Sequence, residues 1–206
     1  MKTAVVNGAE ISAEAVEFEL ERRVRFYSAH GASAEEVRGC LGILREKALE
    51  QAIGAKLLLD RSAELDIPVT AADVDAEVDR VVAQIGGREA YLAALKAQGV
   101  DEASFRRELE KGAKVNKLVE QACASVVDPT EDEIAAFYES RREAYSKANR
   151  TLVDAHDEIR DLLRHEARGR AMDAFVAELK ESAKIEYKTV ERHHEHGCSC
   201  GCGHHH

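Results

Sequence analysis

The sequence predicts a mostly helical fold with a short strand near each end of the chain. Three observations carry this. The 206 residues are 33% charged and only 5% aromatic, with no Trp and two Pro, a mixture that belongs to helices and not to sandwiches or barrels. Caps of the type Ser/Thr followed three residues later by Glu or Asp recur before apolar stripes of helical spacing. Two segments, AVVNGAEI near the start and IEYKTV (185–190), have strand character, the first through a short apolar run and turn, the second through alternation.

The elements follow in order. Asn7-Gly8 predicts a turn after the first strand. Ser12 opens a helix whose stripe is Val16, Leu20, Val24 and Tyr27, and His30-Gly31 ends it. Ser33 and Glu36 cap a long second helix running to about Leu65, with Val37, Cys40, Leu41, Leu44, Ala48, Ala52, Ile53 and Leu57 as its stripe. Pro68 breaks the chain, Thr70 and Asp73 start a third helix, and Gly86-Gly87 stop it. A short helix closes at Gly99, and Asp101 caps another that reaches about Ala124. Thr130 with Glu133 opens the next, Ser146–Asn149 is a weak spot, and Thr151 with Asp154 begins the last helix. Cys40 and Cys123 fall among apolar positions and are expected in the core.

Charge and hydropathy exclude several function classes. A net charge of −10 argues against general affinity for nucleic acid or an anionic membrane, so neither is an expected partner. No apolar run is long enough for a transmembrane helix. The apolar run Thr3–Val6 is far too short for the core of a signal peptide, so a cytoplasmic location is expected. There is no phosphate loop, nucleophile elbow or HExxH, and the carboxylates Asp128, Glu131, Asp132 and Glu133 sit at a helix start, where they favour the dipole. His156 and His165 are nine residues apart, not at the spacing of a helical metal pair, and His156 reads as a core or edge residue. No catalytic residue is expected.

The last fourteen residues, HHEHGCSCGCGHHH, hold six of the nine His and three of the five Cys. Thiolate favours Cu(I) and Zn, and imidazole suits Zn, Ni and Cu(II). Cys198, Cys200 and Cys202, with His193, His194 and His196, are the expected metal ligands, and the intervening glycines let the backbone bend around one ion. The spacing names no particular metal. His204–His206 also read as the remnant of a tag. Residues 191–206 are thus expected to be a flexible tail that orders only on Zn, Ni or Cu, while the rest of the chain needs no cofactor.

The order of these features resembles the SurA-like and PpiC-like chaperone-isomerases. The resemblance is carried by VVNGAEISAEAVEFEL at the start and by IPVTAADVDAEVDRVVAQIGGREAYLAALKAQGVDEASFRRELEKGAKVNKLVEQ (67–121). It continues through DPTEDEIAAFYESRREAY (128–145) and AHDEIRDLLRHEARGRAMDAFVAELKESAKIEY (155–187). It implies one helical chaperone domain over 1–190, with its first and last strands paired. In that family a parvulin prolyl isomerase domain lies between the last two segments; here only residues 146–150 occupy the insertion point, and the parvulin motifs are absent.

The resemblance therefore implies a non-catalytic, peptide-binding chaperone. Its expected partners are an unfolded or partly folded client protein, a metalloprotein client in particular, and a second copy in a homodimer. The family is often periplasmic; a cytosolic branch assists nitrogenase assembly, and similar His- and Cys-rich tails hang from chaperone-isomerases that deliver nickel. The expected client-binding side chains are Phe26, Tyr27, Leu57, Tyr91, Leu92, Leu95, Phe105 and Tyr138. The alternatives are a metal carrier, storage or delivery protein whose body docks on a partner, and a prolyl isomerase of the same family.

Overall fold

The computed structural model describes residues 2–189. The chain divides into two compact units. The first runs from the N-terminus to Ile53 and includes the segment from Lys184; the second is Gly54–Ala183.

The first unit holds a three-stranded antiparallel sheet in the order β2-β1-β3, with β1 Lys2–Val6, β2 Ala9–Glu10 and β3 Ile185–Thr189. The first and last strands pair, as the family resemblance implies, with Ala4 opposite Tyr187 and Val6 opposite Ile185. Asn7 (φ 50°) and Gly8 (φ 84°) turn β1 into β2, the left-handed pair that a two-residue hairpin requires. Asn7 fixes the far end as well. Its N–H donates to the Lys184 carbonyl at 2.9 Å, and its Oδ1 accepts from the Lys184 N–H at 3.0 Å. Ala4 and Val6 are fully buried on one face of β1 by the strand's two-residue period.

Helix α1, Ala13–Ala29, is capped by Ser12 and buries Val16 and Leu20. Helix α2, Ala34–Gly39, carries the Ser33/Glu36 capping box. Helix α3, Leu41–Glu64, buries Leu44, Ala48, Leu49, Ala52 and Ile53 within this unit. The single long helix expected from Ser33 to Leu65 is in fact two, broken at Cys40. Gly39 and Gly42 flank the break, and glycine is the costliest residue but proline in a helix. Cys40 is exposed there, which corrects its assignment to the core; Cys123 is buried as expected.

The second unit contains the end of α3 and six further helices: α4 Ala71–Gln84, α5 Arg88–Gln98, α6 Glu102–Ala122, α7 Glu131–Ser140, α8 Arg142–Lys147 and α9 Leu152–Ser182. Thr70/Asp73, Thr130/Glu133 and Thr151/Asp154 form the capping boxes read from the sequence. Two apolar clusters hold the unit. Val78, Tyr91 and Leu95 pack with Phe105 and Leu109, joining α4, α5 and α6. Ile134, Ala155 and Ile159 pack with Phe137, Tyr138 and Leu163, joining α7 to α9. Gly54 faces α9 so closely that a Cβ there would lie 3.3 Å from Val176 Cγ1. Residues 148–151 join α8 to α9, with Asn149 at φ 52° in their midst. Among the described residues, no helix is long and apolar enough to cross a membrane.

Candidate functional site

Helix α1 sets two faces against different surroundings. Val16, Leu20 and Val24 recur every four residues and turn toward the core, where Val16 and Leu20 are buried. Phe18, Arg22 and Phe26 recur at the same interval but start two residues later, which rotates them by more than half a turn. Phe18 is 60% exposed and Phe26 58%. No cap or core packing accounts for two such rings in solvent, in a chain with five Phe and five Tyr in all.

Near the C-terminal end of α1, Arg22, Arg23, Phe26 and Tyr27 line a groove of about 380 Å³. The Phe26 and Tyr27 rings meet edge to face, 5.7 Å between centroids. His30 lies against Phe26 at 4.1 Å between ring centroids, held by a 2.7 Å contact between its Nδ1 and the Phe26 carbonyl. Arg22 pairs with Glu19 at 2.8 Å, and Arg23 Nη2 donates to Gln51 Oε1 at 3.3 Å. Cationic groups and aromatic faces therefore share one concave surface.

The residues expected at a client surface divide by burial. Phe26, Tyr27 and Leu92 are exposed. Leu57, Tyr91 and Leu95 are buried, Tyr91 to 1%. Tyr91 stands edge to face with Phe105 at 5.8 Å, beneath the Arg88 guanidinium at 5.0 Å, and burial pushes its phenol pKa up. Phe105 is half-buried in that cluster. Tyr138 is also half-buried; it stacks on Tyr145 at 5.0 Å and its hydroxyl donates to the Arg150 carbonyl at 3.0 Å, tying α7 to the turn before α9. Structure thus brings Phe26 and Tyr27 together and gives Tyr91, Leu95 and Phe105 to a core. Phe18 and Ile43, both exposed, were missed by the sequence reading. Phe18 carried a usable sign, because it lies off the apolar stripe of its own helix.

A second groove, about 580 Å³, lies in the other unit between the loop after α6 and helices α7 and α9. Val126, Val127, Pro129, Phe137 and Leu163 line it, with Arg170 beside them. Near that loop, His156 joins α9 to the start of α7. Its Nε2 lies 2.8 Å from Glu131 Oε2 and its Nδ1 3.2 Å from Asp157 Oδ1. Those two carboxylates, Glu131 first, raise the imidazole pKa above its ordinary value. Among the described residues, no group of three or more His, Cys, Asp or Glu is placed to hold a metal ion. The expected ligands His193, His194, His196, Cys198, Cys200 and Cys202 lie outside the described residues.

Comparison with known proteins agrees with this architecture. The SurA-like N-terminal domain family matches residues 1–119, more than half of the chain. This chain belongs to that family. Its match with the foldase protein PrsA of Clostridium acetobutylicum is 27% identical over 126 residues, 59% of this chain, and spans only 38% of the foldase. A solved structure from Campylobacter jejuni, from work on the virulence factor PEB4 and the periplasmic protein Cj1289 as structurally related SurA-like chaperones, shares the fold. It has a TM-score of 0.54 at 15% identity, covering 91% of this chain and 99% of the other. In this SurA-like chain, the aromatic groove lies on α1, within the matched region.

Proposed function

We propose that the chain is a non-catalytic, peptide-binding chaperone that holds unfolded or partly folded clients on the exposed face of α1. The observation that carries this is the pairing of Phe18 and Phe26 on one solvent-facing side of a helix whose opposite side is anchored in the core. Exposed apolar patches of this kind mark binding surfaces. Each buried side chain would contribute ~1.5–3 kcal/mol, and ordering the client offsets several kcal/mol, so affinities on the order of micromolar and broad selectivity follow. Membership of the SurA-like family and the fold shared with a SurA-like chaperone support the reading.

The tail adds a metal function. Its thiolates Cys198, Cys200 and Cys202 and its imidazoles His193, His194 and His196 are a donor set suited to Zn, Ni or Cu, and a metalloprotein is then the expected client. The density of ligands also favours a second reading, a metal carrier or delivery protein whose body only docks. Deleting residues 193–206 separates the two. A chaperone still suppresses aggregation of a denatured model protein without its tail, whereas a carrier loses its metal and its function together. Metal analysis of the untagged protein with and without these residues tests the tail itself. A prolyl-peptide isomerisation assay is expected to show no rate gain; a gain would favour the isomerase reading instead.

A further inference from the structure

The two arginines of the α1 groove are not equivalent. Arg22 is answered by Glu19 within its own helix. Arg23 donates through Nη2 to the neutral amide oxygen of Gln51, and its Nε is enclosed with no acceptor. No carboxylate pairs with it among the described residues. A guanidinium is always charged and offers five donors in a planar fork, so Arg23 keeps a charge without an anionic partner; the enclosed Nε is out of a client's reach, and the Nη groups are the donors left for an anionic oxygen. It does so beside Phe26 and Tyr27, in a groove of about 380 Å³, on a chain whose net charge is −10.

We propose that this groove selects client segments in which a carboxylate side chain sits next to a large apolar one. The carboxylate pairs with Arg23 and the apolar side chain packs against Phe26 and Tyr27. The inference rests on the reading of the α1 face as a client-holding surface, and it names the chemistry of the client. A carboxylate is preferred to a backbone carbonyl because it brings a full negative charge to the guanidinium and two oxygens that match its planar fork. The acidic body does not oppose this choice. Its repulsion is screened beyond ~8 Å at physiological salt, so it disfavours polyacidic segments more than one carboxylate within an apolar stretch.

The test uses the full chain and fluorescein-labelled unstructured peptides that differ at one position, Phe-Glu against Phe-Gln, with binding read by fluorescence anisotropy. The Glu peptide is expected to bind about tenfold more tightly. Arg23→Gln removes that preference. So does Gln51→Glu, which places a carboxylate beside Arg23 without changing the shape of the side chain and so covers the case in which Arg23→Gln fails to fold. Phe26→Ala weakens both peptides equally and leaves their ratio unchanged. Equal affinity of the wild-type chain for the two peptides, or a preference that survives both Arg23→Gln and Gln51→Glu, would overturn the proposal. Equal affinities that still fall with Phe26→Ala overturn the carboxylate selection alone. Affinities indifferent to Phe26→Ala overturn the client-holding reading with it.

Discussion

Lys117 Nζ lies 2.6 Å from Asp73 Oδ2, the same oxygen that accepts from the Thr70 N–H and closes the cap of α4. One carboxylate thus fixes the start of α4 and ties it to α6, 44 residues further along the chain. The Lys117 bond first, and the Thr70 bonds after it, hold the Asp73 pKa down from 3.8 to about 2. A depressed carboxylate pKa contributes stability that is fully present above 3.8 and is lost as pH falls through about 2. Asp73→Asn is therefore expected to lower the urea midpoint at neutral pH, and the gap from wild type to close between those two values. A gap independent of pH would contradict the assignment. Thr70→Ala, which removes the cap alone, is expected to cost ~1 kcal/mol.

His156 has the opposite sign. Glu131 and then Asp157 raise its pKa, so the stability it contributes is present below 6.5 and is lost as pH rises through the raised folded value. Asp157 lies on α9 beside His156 and also pairs with Arg160 at 3.0 Å, so Glu131 is the partner that His156 reaches on α7. The wild-type urea midpoint is expected to fall relative to that of His156→Gln as pH rises from 6.5 through the raised folded value. Parallel profiles would show that the bridge is made without the charge.

Tyr91 and Phe26 are both aromatic residues expected at a client surface, and their burial separates them. Tyr91→Ala empties the centre of a core and is expected to cost ~3–5 kcal/mol in urea unfolding. Tyr91→Phe is expected to be neutral or mildly stabilising, because the buried hydroxyl has no partner. Phe26→Ala is expected to change stability by no more than ~0.5 kcal/mol.

Gly54 permits the close approach of α3 and α9. Gly54→Val would crowd Val176, which a Cβ alone already meets at 3.3 Å. A loss of ~1–3 kcal/mol is expected from denaturation curves.

Caps and turns were the most legible part of the sequence because each acts within four residues. Ser33/Glu36, Thr70/Asp73, Thr130/Glu133 and Thr151/Asp154 all close as written, and Asn7-Gly8 makes its hairpin. The break at Cys40 was hidden because the apolar stripe runs straight through it while the flanking glycines weaken the helix. Which apolar residues are enclosed was less legible, because enclosure is set by partners far along the chain. Tyr91 sits on a short glycine-flanked helix, which in sequence looks open. Its enclosure depends on Val78 from α4 and Phe105 from α6, contacts that no local window contains. The groove was half visible: Phe26 and Tyr27 could be named, but the unmet demand of Arg23 depends on Gln51, 28 residues away on another helix.

The proposed client-holding role of α1 is measured most directly by anisotropy of a labelled, permanently unfolded protein titrated with the wild-type chain and with a Phe18→Ala/Phe26→Ala/Tyr27→Ala variant. The exposed rings contribute little to folding, so the variant is expected to keep its urea midpoint and lose at least about tenfold in affinity. A variant that is equally stable and binds the unfolded protein as tightly as wild type would contradict the account.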